Sequence, residues 1–164
     1  EASDPVVEDV FADAKKERIT ILDTMASYYT TLAAKQKEKS KRDEYFTQAT
    51  TLFNKADKIE LREELTWVGK AVLLLCRGDL AHASDMFDSV LKANPNSIPA
   101  YLGKARIHFN NGQYEEALKC YKTVLTLNPN CQASVRLGLG LCYSKLNKPN
   151  AAKKAFERVL QLEP

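Results

Sequence analysis

The sequence predicts an all-α fold, a right-handed superhelix (α-solenoid) of about four helix-pair repeats with an elongated first hairpin. Two observations predict it. The 164-residue chain repeats itself: shifted by 34, Trp67, Ala71, Gly78, Ala83, Phe87 and Pro95 fall on Tyr101, Ala105, Gly112, Ala117, Tyr121 and Pro129. A further shift of 35 reaches Gly140, Asn147, Ala152, Phe156 and Pro164. Within each period, apolar residues recur at helical spacing, as Trp67, Ala71 and Leu74 do at i, i+4 and i+7.

A 34-residue period built from an aromatic, a small residue, a turn glycine, an alanine, a second aromatic and a closing proline is the tetratricopeptide pattern. Residues 64–97 form one such repeat: a helix from about Glu64 to Cys76, a turn at Gly78, and a helix from about Leu80 to Ala93. Asn94-Pro95-Asn96 ends it, because proline cannot continue a helix and its predecessor avoids helical angles. The next repeat spans 98–131, with Pro99 tolerated in its first turn. Residues 132–164 form another, with one extra residue near Cys131.

Residues 17–63 read as a divergent, elongated repeat. Ala26, Tyr29, Ala49, Phe53 and Ala56 take the roles of Ala71, Leu74, Ala83, Phe87 and Val90. Ala26 to Ala49 is 23 residues where Ala71 to Ala83 is 12, and the excess is about three helical turns. Ser40 followed by Asp43 resembles a helix-start box and predicts the turn near Ser40. Residues 1–16, with Asp4-Pro5 and Glu8-Asp9, form an N-terminal arm or short helix. The start at Glu1 and the stop at Pro164 suit a segment of a longer array. Without a polar capping helix, Val159 and Leu162 are expected to lie partly uncovered and to favour self-association.

The net charge of +3 is too small to imply a nucleic-acid or membrane partner, although residues 1–63 carry −2 and residues 64–164 carry +5. No apolar run approaches the length of a membrane span. Cys76, Cys120, Cys131 and Cys142 form no C-x-x-C, and His82 and His108 are not at ligand spacing to them, so no metal is expected. Cys76, Cys120 and Cys142 read as small apolar fillers inside helices. There is no phosphate-cradling loop, dinucleotide glycine set, H-E-x-x-H or nucleophile elbow, so no enzymatic activity and no cofactor are expected.

The tip of the long hairpin carries Lys35, Lys37, Lys39, Lys41 and Arg42 against Glu38. It reads either as a basic prong or as a solvated helix tip with a Glu38–Arg42 pair. No aromatics interleave with these charges, as stacking on single-stranded nucleic acid requires, so direct nucleic-acid binding is not expected.

The opening helix of each repeat carries the candidate binding residues. Leu65, Val68, Val72 and Leu75 form a stripe on the face away from the partner helix, continued by Leu102 and Phe109, interrupted by Arg106, and then by Leu137 and Leu141. Gly69, Gly103 and Gly138 recur beside it. A missing Cβ at one place in three repeats allows close approach. Either neighbouring opening helices pack across these glycines, or the groove also admits a partner segment.

Tetratricopeptide adaptors for heat-shock chaperones clamp a terminal carboxylate with lysine, asparagine and arginine. The matching positions here are Asp23, Ser27, Val68 and Val72, so no clamp can be assembled. A closer resemblance runs from about Ala14 to Pro164. The stretch "ITILDTMASYYTTLAAKQKEKSKRDEYFTQATTLFNKADKI", followed by "NSIPAYLGKARIHFNNGQYEEALKCYKTVL" and "VRLGLGLCYSKLNKPNAAKKAFERVL", resembles the N-terminal repeats of the tetratricopeptide scaffold subunit of the polymerase-associated factor (PAF) complex. The resemblance implies a nuclear scaffold bound to the other PAF subunits, linked indirectly to RNA polymerase II, and supporting transcription elongation and co-transcriptional histone modification. Two other classes stay open: an adaptor of a different assembly, or a regulatory module of an enzyme lying outside these residues.

Overall fold

A computed structural model describes residues 5–162 and the side chains of 8–162. Among them are eight helices and no strand: α1 (Pro5–Lys35), α2 (Lys39–Ile59), α3 (Glu64–Arg77), α4 (Leu80–Ala93), α5 (Ile98–Asn110), α6 (Tyr114–Leu127), α7 (Ala133–Lys145) and α8 (Pro149–Leu162). Residues 1–4, including Asp4, lie outside the described residues. The chain divides into two compact units, Glu1–Met86 and Phe87–Pro164, with the boundary inside α4.

In the first unit the two long helices zip together along alanines. Ala26 and Ala33 on α1 meet Phe46, Ala49 and Phe53 on α2, and Leu73 of α3 joins the same cluster. The added turns are sealed by Tyr29 stacked on Tyr45 at 6.1 Å between ring centres, and the Arg77 guanidinium lies 5.8 Å from the Phe46 ring centre. Helix α1 is continuous through residue 16, so the expected arm, from Pro5 onward, is the first part of the same 31-residue helix.

The hairpin tip differs from the sequence expectation by about two residues. Glu38, not Ser40, precedes α2 in an extended conformation, and no side chain caps the helix. Ser40 is already inside α2. The Gln36 side-chain oxygen accepts the Glu38 N–H at 3.2 Å, closing the turn before Ser40 is reached. The ion pair at the tip joins Glu38 to Lys41 at 2.8 Å, an i,i+3 pair in place of Glu38–Arg42.

The turn positions of the three shorter hairpins share one backbone conformation. Gly78 (φ 86), Gly112 (φ 75) and Asn147 (φ 55) are all left-handed. Asparagine tolerates that region better than most residues, which is why the repeat survives the exchange at 147. The inter-repeat turns also repeat: Asn94 accepts the Asn96 N–H and Asn128 accepts the Asn130 N–H, each at 3.0 Å across an intervening proline.

In the second unit, Ala117, Leu118, Leu139 and Cys142 form the buried cluster, with Phe109, Tyr121, Leu125 and Tyr143 packed around it. Burial pushes the Cys142 thiol up to about 11 and raises Cys120, so neither is poised as a nucleophile. Cys76 departs from expectation: it is exposed at the end of α3. On α8, Val159 is half-buried, and Leu160 and Leu162 are exposed.

Candidate functional site

The glycine row has a specific cause. A Cβ on Gly69 would come closer than 3.0 Å to the Phe53 ring, one on Gly103 to the Phe87 ring, and one on Gly138 to the Tyr121 ring. Each glycine is therefore a socket for the second aromatic of the preceding repeat. Gly69 does this within the first unit, Gly103 and Gly138 within the second. The close approach foreseen from the sequence is ring onto backbone rather than one opening helix onto another. Beside two of these sockets a lysine ties the opening helix to the same preceding helix: Lys70 donates to Asp57, and Lys104 donates to Asp88. At the third socket Leu139 stands after the glycine and is buried in the apolar cluster.

The remaining candidate residues separate by unit. In the first, Leu65 (61% exposed), Val68, Gly69 and Val72 line one wall of a groove of about 890 Å³. The other wall is α1, contributing Ile19, Thr20, Asp23, Ser27 and Thr31. Lys15 on α1 pairs with Glu60 across one rim. In the second unit, Phe109 packs edge-on against Tyr114 at 5.2 Å and belongs to the core. Gly103 and Gly138 are buried beneath their rings, Leu102 is half-buried and Arg106 is exposed. Leu137 and Leu141, at i and i+4 on α7, are 44% and 43% exposed and form a small apolar patch.

The floor of the first groove holds its distinctive chemistry. Thr66, fully buried on α3, donates its hydroxyl to Asp23 Oδ2 at 2.7 Å. Asp23 Oδ1 is buried with no hydrogen-bond partner, as is Asp57 Oδ1 nearby. Burial pushes the Asp23 carboxyl above its ordinary value; the Thr66 bond opposes this, the carboxylates of Glu63 and Asp57 add to it, and Lys70 offsets it weakly. Glu63 caps α3 by accepting the Leu65 N–H at 2.6 Å. Sequence reasoning offered one wall of this groove as candidate residues, and named Asp23 and Ser27 of the other only as positions where a carboxylate clamp is missing. The available signal was Asp23 itself, a carboxylate at the register position that Val68, Leu102 and Leu137 fill in later repeats.

Among the described residues, no group of three or more His, Cys, Asp or Glu side chains is disposed to hold a metal ion. His108 Nδ1 lies 2.8 Å from Gln113 Oε1, and His82 Nδ1 lies 2.8 Å from an Asp79 carboxylate oxygen, which lowers the Asp79 pKa. Both are local contacts at helix ends.

Comparison with known proteins gives the setting. Tetratricopeptide-repeat family models match residues 98–131 and 133–164. Over its entire length the chain is 43% identical to the protein named "Protein CTR9 homolog" of Arabidopsis thaliana, covering 15% of that protein. It is 32% identical over 159 residues to "RNA polymerase-associated protein CTR9" of Caenorhabditis elegans, covering 94% of this chain and 14% of that protein. The chain thus spans about one-seventh of the length of the curated relatives it matches. Among solved structures, MamA from Desulfovibrio magneticus RS-1 superposes with a TM-score of 0.61 at 21% identity, covering 72% of this chain and 66% of the other; this likeness is one of fold.

Proposed function

We propose, from the premise that this chain is a tetratricopeptide-repeat protein resembling a CTR9 homologue along its whole length, that it is a protein-binding scaffold segment of a nuclear complex associated with RNA polymerase II. Its partners in this reading are the other subunits of the PAF complex. The polymerase is engaged indirectly, and the assembly supports transcription elongation and co-transcriptional histone modification. The observation that carries the reading is the 43% identity extending over all 164 residues, because it includes the elongated hairpin that a generic array lacks. The open groove beside α3 and the exposed Leu137–Leu141 pair supply surfaces for protein contact. Neither calls for a cofactor, catalysis or direct nucleic-acid binding.

The test is affinity purification of the full-length protein carrying Leu65→Glu with Val72→Glu, or Leu102→Glu with Leu141→Glu, after checking the helical signal. Losing two apolar anchors costs about 2–4 kcal/mol of binding, in the hot-spot range. At least one pair is expected to release PAF subunits. Retention of every partner by both folded variants overturns the groove as the contact. Capture of an unrelated assembly by the parent protein favours the alternative of an adaptor elsewhere.

A further inference from the structure

We infer that the α1–α3 groove takes a protein segment of mainly apolar residues carrying one lysine or arginine, whose cationic head reaches Asp23 on the groove floor. The inference rests on the scaffold reading and adds the partner's chemistry. Asp23, Glu60 and Glu63 line the groove with Lys15, Lys16 and Lys35, Lys15 being paired with Glu60; Asp57 and Glu63 raise the Asp23 carboxyl, and Lys70 is the cation that opposes them there. Lys70 is already committed to Asp57. Asp23 Oδ1 and Asp57 Oδ1 remain buried without a hydrogen bond. Buried acceptors are normally satisfied, so Asp23 Oδ1, the one of these two oxygens whose residue lines the groove, lacks a donor.

The shape of the groove identifies what brings that donor. Its lining on α1 runs from Ala12 to Lys35, about 35 Å of helix, which matches a stretch of polypeptide rather than a free ion. Leu65, Val68 and Val72 face the same space and favour apolar neighbours on both sides of the cation. Desolvation by those neighbours strengthens the ion pair relative to one in water. Thr66 holds the Asp23 carboxylate through Oδ2, and Oδ1 is the oxygen left without a donor.

The experiment selects a random-peptide phage library on the full-length protein and measures the consensus peptide, made synthetically, against variants. The expected consensus has one lysine or arginine flanked by apolar residues. Asp23→Asn, which keeps an oxygen for Thr66, should weaken that peptide about tenfold or more. Replacing the peptide's cation by norleucine should cost a similar factor against the parent and little against Asp23→Asn. Val72→Glu should also abolish binding. A consensus without a cation, failure to select any peptide, or equal binding to Asp23→Asn overturns the inference. So does a groove-dependent dimer, seen by sedimentation as a parent dimer that Val72→Glu makes monomeric. If PAF subunits depend on Leu65 and Val72 but are indifferent to Asp23→Asn, this inference falls while the scaffold reading stands.

Discussion

The two compact units use one packing device, and one layer beside it differs between them. Both seat the second aromatic of a repeat on a glycine of the next opening helix: Phe53 on Gly69 in the first, Phe87 on Gly103 and Tyr121 on Gly138 in the second. The layer that differs lies at positions equivalent to 66, where Thr66, Ala100 and Val135 are all buried. Only the first is polar, and it is bonded to Asp23. A repeat evidently needs the ring and its socket, and is indifferent to polarity in the neighbouring layer so long as hydrogen bonds are made. The Thr66–Asp23 pair is therefore not required by the architecture, which points to the groove that Asp23 lines.

The largest effects should fall on the shared device. Phe53→Ala and Phe87→Ala, each emptying a fully buried ring site, are expected to cost about 3–5 kcal/mol in chemical denaturation. A cost below that of an exposed substitution in either unit would break the equivalence of the two. Filling a socket should come next. Gly103→Leu forces its side chain into the Phe87 ring and should cost about 1–3 kcal/mol, partly recovered by Phe87→Leu. Gly78→Ala, with open space around it but φ at 86, should cost about 1–2 kcal/mol from backbone strain, and no ring substitution should rescue it.

The differing layer gives smaller and more diagnostic effects. Thr66→Val makes the first unit look like the second but strips Asp23 of its donor, so a loss of about 1–3 kcal/mol is expected. Adding Asp23→Leu should return much of it, because removing both polar partners is far less costly than removing one. If Thr66→Val alone is neutral, the layers are equivalent after all.

The smallest effect has the opposite sign. Burial raises the folded-state pKa of Asp23 above its ordinary 3.8, so between those two values the folded chain binds more protons than the unfolded one. Stability from this group is greatest in acid and declines as pH rises through that window. Asp23→Asn removes the penalty. Its melting temperature should exceed the parent's at neutral pH, and the difference should vanish below pH 3.8, in thermal scans across pH. A residue whose neutral variant is more stable and binds worse is one retained for binding.

Much of the fold was legible because its signals are local. The turn residues at 78, 112 and 147 announce left-handed backbone, and the Asn-Pro-Asn turns announce helix ends. The alanines at 26, 49, 71, 83, 105 and 117 are all fully buried, as their spacing implied. The hairpin tip was misplaced because a start box at Ser40 competes with a turn closed by Gln36 two residues earlier, and only the folded backbone shows which hydrogen bond forms. Half of the groove was visible as an apolar stripe on α3. On the α1 wall only the register of Asp23 and Ser27 was visible, since Ile19, Thr20 and Asp23 have no apolar periodicity of their own.

The sequence by itself determined the repeat, its period, the elongation of the first hairpin and the positions where glycine is needed, because each of these is written in residues close together or at a fixed spacing. Only the tertiary structure decided what the glycines are for, which polar group Thr66 meets 43 residues away, and which carboxylate oxygens are left without partners. Those depend on which side chains from different helices share one small volume. Periodicity fixes the face a residue occupies but not the atom across from it.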